Sequence, residues 1–356
     1  MSKTRILTNN ALTRKKWARD LFKIVLPAVE YSALVGNNAD AAVHMRTELG
    51  KGEGDQITFG IFLPLSADPR VGQEEVEGYE EKLQTDDFSC TIEEVNKAVD
   101  TGGVMEAQRI PYDLVQKGKS LMADWWPSWL SDLLINTLVG NSAYRVGTHV
   151  FAQAITEPDS DHHMIVNDQA NEASITTSDV LDLTFLDRMK QKAELMNRMV
   201  PDAYKLRPWN VKGKAHFKVM MHNYVFDRLR QNMNPGEWGD LRRDAGKLAQ
   251  PEVEIAYNGL MISKSERIPQ MVSVSPGGVY RTILMGKQAA VFAWGGAGES
   301  KGTVMSFVPY TKDAKRFTMI RGGAILGVKK TIFDVNGTDM DYGIITGSSY
   351  AEPIQA

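Results

Sequence analysis

The chain of 356 residues has one cysteine, Cys90, so no disulfide can close within it and folding needs no oxidising compartment. It has no apolar run long enough to span a bilayer as a helix, and the polar start MSKTRILTNN has no signal-peptide core, which predicts a soluble protein. It also has little charge imbalance. With 41 basic against 44 acidic residues the formal charge is -3, which argues against a protein built to grip nucleic acid through bulk electrostatics. The local cluster Arg14, Lys15, Lys16 and Arg19 reads as a solvated helix face.

Recognisable sites of chemistry are missing too. Gly295 to Thr303 is glycine-rich but lacks the Gly-Lys-Ser/Thr order of a phosphate-binding loop, and Gly118-Lys119-Ser120 lies inside a helical pattern rather than between a strand and a helix. Asp159, Asp161, His162 and His163 are possible metal donors by type, yet adjacent histidines in one loop rarely reach the same ion, so they read as surface residues. The pairs Glu74-Glu75 and Glu80-Glu81 sit where nothing would raise a carboxyl pKa for acid catalysis. No metal, no cofactor and no enzymatic activity are expected.

At 43% hydrophobic the chain can bury a substantial core. From Gln56 to Leu65, Ile57, Phe59, Ile61, Leu63 and Leu65 alternate, as a strand with one apolar face requires; Phe88, Cys90 and Ile92 repeat the alternation. These are the arms of a hairpin whose connection is far longer than a turn and carries Asp68, Glu74, Glu75, Glu77, Glu80 and Glu81 against Arg70 and Lys82. A ribbon of this kind is marginal alone, so the pattern fits either a ribbon that lies on another chain or domain or a disordered surface loop. In this pattern Cys90 is a small buried hydrophobe.

Thr13 to Val25 has helical spacing, ended by Pro27. Pro111 opens a longer pattern, an apolar stripe from Leu114 to Leu138 ending at Gly140-Asn141, about 42 Å if continuous. Pro127 inside it predicts a kink or break. Trp125, Trp126 and Trp129 share the stripe with leucines and read as core, not as a platform for bases. Ala152 to Ser174 reads as a surface loop, Ser178 as the cap of a helix running to Arg198, and His216 to Met221 as a strand passing into a helix at His222 to Gln231. Beyond Glu252 come short strands, with a helix predicted over Gly286 to Trp294.

Four stretches carry a resemblance. Lys51-Gly52-x-Gly54-Asp55 precedes the ribbon and Glu77-Gly78-x-Glu80-Glu81-x-Leu83 follows it. Then come Gln108-Arg109-x-Pro111-x-Asp113 leading to Asp124-Trp125-Trp126, Met220-Met221-His222 leading to Leu229-Arg230, and Leu284-Met285-Gly286-x-Gln288-Ala289. In this order they resemble the major capsid proteins of tailed double-stranded DNA bacteriophages, and more narrowly the capsid family typified by the phage called N-four.

The resemblance implies the α+β Hong Kong 97 capsid fold. It places an N-terminal arm over residues 1–47, an extended loop over 48–96, a peripheral domain with a long spine helix over 97–215, an axial domain over 216–330, and a return to the peripheral domain over 331–356. The implied function is self-assembly through pentamers and hexamers into the icosahedral shell of a phage genome, in the virion and built in the bacterial host cytoplasm. Implied partners are further copies of the chain, with scaffold, portal and decoration proteins, weak contact with packaged DNA and no membrane. Inter-subunit contact is expected at Asp68, Arg70, Glu74, Glu75, Glu77, Glu80 and Glu81, facing basic residues among Arg242, Arg243, Lys312, Lys315, Arg316, Lys329 and Lys330. The rival readings are a minor shell or decoration protein and a soluble α+β enzyme.

Overall fold

The computed structural model of the chain describes residues 34–38, 40–47, 54–62, 71, 77, 80, 85–109, 111, 113–149, 151–199, 206–211, 213–233, 235–248, 253–296, 305–314, 316–335 and 338–354. The helix expected over Thr13 to Val25 lies outside them, as does most of the connection between the ribbon arms.

Two sheets organise the chain. At the centre of the first, Phe317–Lys330 pairs along one edge with Glu93–Gly103 and along the other with Met305–Lys312 and Ala290–Trp294, beyond which lie Val43–Arg46 and Val35–Gly36. The second runs His163–Ile165, Ile344–Ala351, Gly277–Met285, Lys214–His222, Leu260–Ser265, Ile255–Tyr257. Ala290–Trp294, Met305–Lys312 and Phe317–Lys330 belong with Glu93–Gly103, and both His163–Ile165 and Ile344–Ala351 join the strands of residues 214–285. Alternation tells which face of a strand is buried but not which strand lies beside it.

The long helix is Leu114–Val139, 26 residues, roughly 39 Å at 1.5 Å per residue. Asp113 caps its start, accepting from the Val115 and Gln116 amides, and Gly140 at φ 72° ends it. A side chain at Gly140 would put Cβ 2.9 Å from both Pro158 Cδ and Thr156 O. Of the kink or break expected at Pro127, the break does not occur: the helix is continuous through it. Proline removes the donor to the Ala123 carbonyl, but Pro127 is itself buried among apolar neighbours, and packing holds the helix through that turn.

Met122, Trp126, Leu130, Leu133 and Leu134 of this helix enter one core with Trp294, Phe307, Ile320 and Ala324 of the first sheet. The helix lies close because Gly322 has no side chain: a Cβ there would sit 2.5 Å from Met122 Sδ. Trp125 and Trp129 stack at 5.8 Å with Trp126 edge-on to both, so the tryptophans are packing. Burial of side chains this large stabilises by about 2–3 kcal/mol each.

The second sheet is buried on both faces. Met220, Ile283, Met285 and Ile344 belong to the first core, whereas Val219, Met221, Leu284 and Ile345 belong to another, with Phe185, Leu186 and Met189 of the helix Leu183–Met199 and Val225, Phe226 and Leu229 of the helix Asn223–Gln231. Neighbouring residues go to opposite cores, which is why these strands read as continuous apolar runs.

Two local expectations need correction. Leu183–Met199 starts later than predicted, with Asp182 Oδ1 accepting from the Phe185 amide at 2.7 Å, because buried Asp179 holds the preceding turn through Thr176 and Asn167. Gly286 to Trp294 is not a helix: Ala290–Trp294, buried throughout, is a strand of the first sheet.

Candidate assembly site

Gln56–Phe62 and Thr85–Thr91 pair antiparallel, with Phe59 opposite Phe88 and Gly60 opposite Asp87, as the alternation predicts. Among the described residues, the root of this ribbon has a small core. Ile57 and Cys90 pack with Ala293, Phe59 stacks on Phe88 at 5.1 Å, and Phe88 meets Phe333 edge-on at 5.8 Å. Gly327 admits the ribbon, since a Cβ there would lie 2.2 Å from Thr91 O. Burial pushes the Cys90 thiol up to about 12, so it is an inert apolar group.

Neighbouring segments strap the root. The Thr91 amide donates to Gln153 Oε1 at 3.2 Å, and Glu93 accepts from the Ala152 amide at 2.8 Å while pairing with His149 at 2.7 Å. Lys329 Nζ donates to Ser89 O at 2.8 Å and lies 5.3 Å above the Phe88 ring; burial lowers its pKa.

Of the residues expected to make inter-subunit contacts, Asp68, Arg70, Glu74, Glu75 and Glu81 lie outside the described residues, and Glu77 and Glu80 are exposed. Among the basic candidates Arg242 and Lys312 are exposed, Arg243 pairs with Asp240 at 3.1 Å, Arg316 pairs with Asp313 at 3.3 Å, and Lys315 lies outside the described residues. Lys329 is half-buried in its own chain. Lys330 requires correction: only 1% exposed, it donates to Asp341 at 2.8 Å and to Glu157 O at 3.2 Å, so it has no charge to offer a neighbour. Burial lowers the Lys330 pKa and raises that of Asp341, each opposed by the partner's charge.

The segment Ala152 to Ser174 lies at the surface as expected, with His162 and Val166 buried, and it wraps the end of the long helix. His162, buried, places Nδ1 2.7 Å from Asp159 Oδ2, an oxygen that also accepts from the Asp341 amide at 2.7 Å. Burial pushes Asp159 up, but hydrogen bonds from His162 and Asp341 outweigh it and hold the carboxyl at about 2. Beside it Arg281 donates twice to Glu172, at 2.6 and 2.9 Å, and through Nη1 to the helix-end carbonyls of Val139 and Gly140, at 3.1 and 2.8 Å. Glu172 Oε1 also accepts from Ser348 Oγ at 2.6 Å, and His163 lies 3.4 Å away. Burial raises Glu172, yet the bonds from His163, Arg281 and Ser348 prevail and bring it to about 2.

Ser, His and Glu together invite comparison with a hydrolase. Ser348, however, has no exposed surface and gives its hydrogen to the carboxylate, so it is neither reachable nor activated. The histidines form no metal cluster among the described residues. Gly118 and Lys119 lie within the long helix, with Gly118 closed against Thr101 and Ile320, which leaves no phosphate cradle there.

The described residues form a subunit of two main sheets bridged by a long helix, with a two-stranded ribbon packed at its root. The chain belongs to the phage capsid protein family, whose model matches residues 5–353. Its fold is similar to the capsid of Ralstonia phage GP4, at 23% identity over 100% of both chains and a TM-score of 0.80. It is also similar to the capsid of cyanophage Pam1, at 17% identity over 98% of this chain and 97% of the other, with a TM-score of 0.67. The head of Helicobacter pylori bacteriophage KHP40 follows at 11% identity over 91% of each chain and a TM-score of 0.61. No curated protein matches the chain. Family and fold together make it a major capsid protein, a structural subunit of the virion shell.

Proposed function

We propose that the chain assembles through pentamers and hexamers into an icosahedral shell around a double-stranded DNA genome, within the bacterial host cytoplasm, and that it has no enzymatic activity. The ribbon carries this reading: it has a packed root in its own subunit, and the sequence between its arms has too little apolar content for a core of its own. Laid on a neighbour, it makes a heterologous contact that repeats around a ring and then between rings.

In this reading Asp68, Glu74, Glu75, Glu77, Glu80 and Glu81, with Arg70, contribute the acidic side of the contact, and exposed Arg242, Arg243, Lys312 and Arg316 are candidates for the basic side. Each pair contributes little, about 0–1 kcal/mol, so the shell is held by repetition and by buried apolar area. Scaffold, portal and decoration proteins are the expected further partners, with weak contact to the packaged DNA.

Deleting Asp68 to Glu81 leaves both described cores intact, so the variant is expected to be soluble and folded by circular dichroism but to form no shells in electron microscopy. Normal particles from the deletion would refute the proposed contact.

A further inference from the structure

The stretch Met220-Met221-His222 ends a strand of the second sheet, and its histidine has a role that assembly does not require. His222 is the N-cap of Asn223–Gln231: its Nδ1 accepts the Tyr224 amide at 3.1 Å. A nitrogen that accepts carries no proton, so the neutral ring bears its hydrogen on Nε2. The ring is 8% exposed, stacked on Tyr280 at 4.2 Å and edge-on to Tyr224 at 4.6 Å.

The groups around it are Tyr280 from Gly277–Met285, Tyr224 from its own helix, and Ser265 across the parallel pair with Leu260–Ser265. Ser265 Oγ is occupied by the Arg267 amide, and Arg267 Nη1 reaches to Ser128 and Asp132 on the long helix. No carboxylate is paired with the His222 ring among the described residues.

We propose that His222 is an acid-sensitive latch on the start of the helix Asn223–Gln231. Protonation would turn the accepting nitrogen into a donor facing a donor, and place a cation at the positive end of the helix dipole. Burial supports this, pushing the His222 pKa down to about 4 from an ordinary 6.5. The helix it starts is attached to the end of the chain, because Arg228 pairs with Glu352, which also accepts from the Tyr350 hydroxyl at 2.8 Å. Acid acting at one imidazole thus loosens the contact between this helix and the C-terminal strand, while the long helix and the first sheet are untouched.

His222→Asn tests the latch, since asparagine caps as well and does not titrate. The sign follows from linkage: the unfolded chain takes up this proton near pH 6.5 and the folded chain only near 4, so stability is full above that interval and falls across it. Between pH 7 and 4 the folded-to-unfolded ratio of the full chain should fall roughly a hundredfold more than that of the variant. Parallel profiles would overturn the proposal.

Hydrogen exchange on the unmodified chain gives a second reading that needs no variant. Corrected for intrinsic rates, the Tyr224 amide should lose more protection between pH 7 and 4 than that of Thr282 in the neighbouring strand, which falls only with global stability. Equal protection of Tyr224 at both pH values would equally overturn the latch.

Discussion

Arg281→Met should be among the most damaging single changes in the subunit. Methionine keeps much of the stem and none of the donors, leaving the largely enclosed Glu172 without its bidentate partner and the Val139 and Gly140 carbonyls without theirs. Removing one partner of a buried pair costs about 3–5 kcal/mol. The two carbonyls add less than the full penalty of an unmade bond, since the Gly140 amide still bonds Thr137 O and water can reach a loosened helix end. The expected loss is about 4 kcal/mol, and at about 2 °C per kcal/mol for a chain this long the melting temperature should drop by about 8 °C. Calorimetry on the unassembled chain measures it. Glu172→Gln in the same background should recover part of the loss, because it removes the stranded charge. A melting temperature within about 2 °C of the parent would refute the clamp, as would a double variant as unstable as the sum of the two singles.

Acid should act in a second window, distinct from that of His222. Glu172 and Asp159, held at about 2 against ordinary values of 4.5 and 3.8, contribute stability that is present above those values and lost as pH falls toward 2. Together that loss is about 5 kcal/mol, visible as a steepening of the pH–stability curve below 4.5 that Glu172→Gln should flatten. Gly327→Ala should displace the root of the ribbon, because its Cβ would fall 2.2 Å from Thr91 O and 3.3 Å from Cys90 Sγ. The expected cost is about 1–3 kcal/mol, with protection of the Thr85–Thr91 amides falling more than that of Gly277–Met285 in hydrogen exchange; equal loss in both strands would contradict it.

What could be read beforehand was what is local. Phe59 faces Phe88 because both strands keep a strict period of two, and the long helix announces itself through Asp113, its apolar stripe and Gly140. Local reasoning failed where burial outweighed it. Pro127 sits in a helix that packing holds together, Ala290–Trp294 is a strand because a sheet edge was free to receive it, and Ser178 loses the cap to Asp182 because buried Asp179 fixes the turn first. The polar cluster was beyond reach for a different reason. Arg281 and Glu172 are 109 residues apart, Arg281 and Val139 are 142 apart, and nothing in the spacing of charged residues marks which of them will meet. His162 and Lys330 read as surface residues because their type usually is, and only the fold shows Asp159 and Asp341 beside them.

The arrangement of those buried charges bears on how a shell subunit keeps its shape. Along Gly277–Met285, Arg281, Ile283 and Met285 share the face that looks toward the long helix, so one strand both packs on that helix and pins it. Apolar contact alone is non-directional and would let the second sheet slide along the helix at little cost. Arginine bonds are directional. Arg281 fixes the sheet against the last carbonyls of the helix, and Arg267, just past the strand Leu260–Ser265 and bonded to Asp132 at 2.6 Å, fixes it again about two turns earlier. Two such pins on one rod leave neither a sliding nor a turning freedom, and the first sheet, closed on the same rod through Gly322, carries the root of the ribbon. Ion pairs that add little net stability still have a use in such a subunit, because they specify geometry.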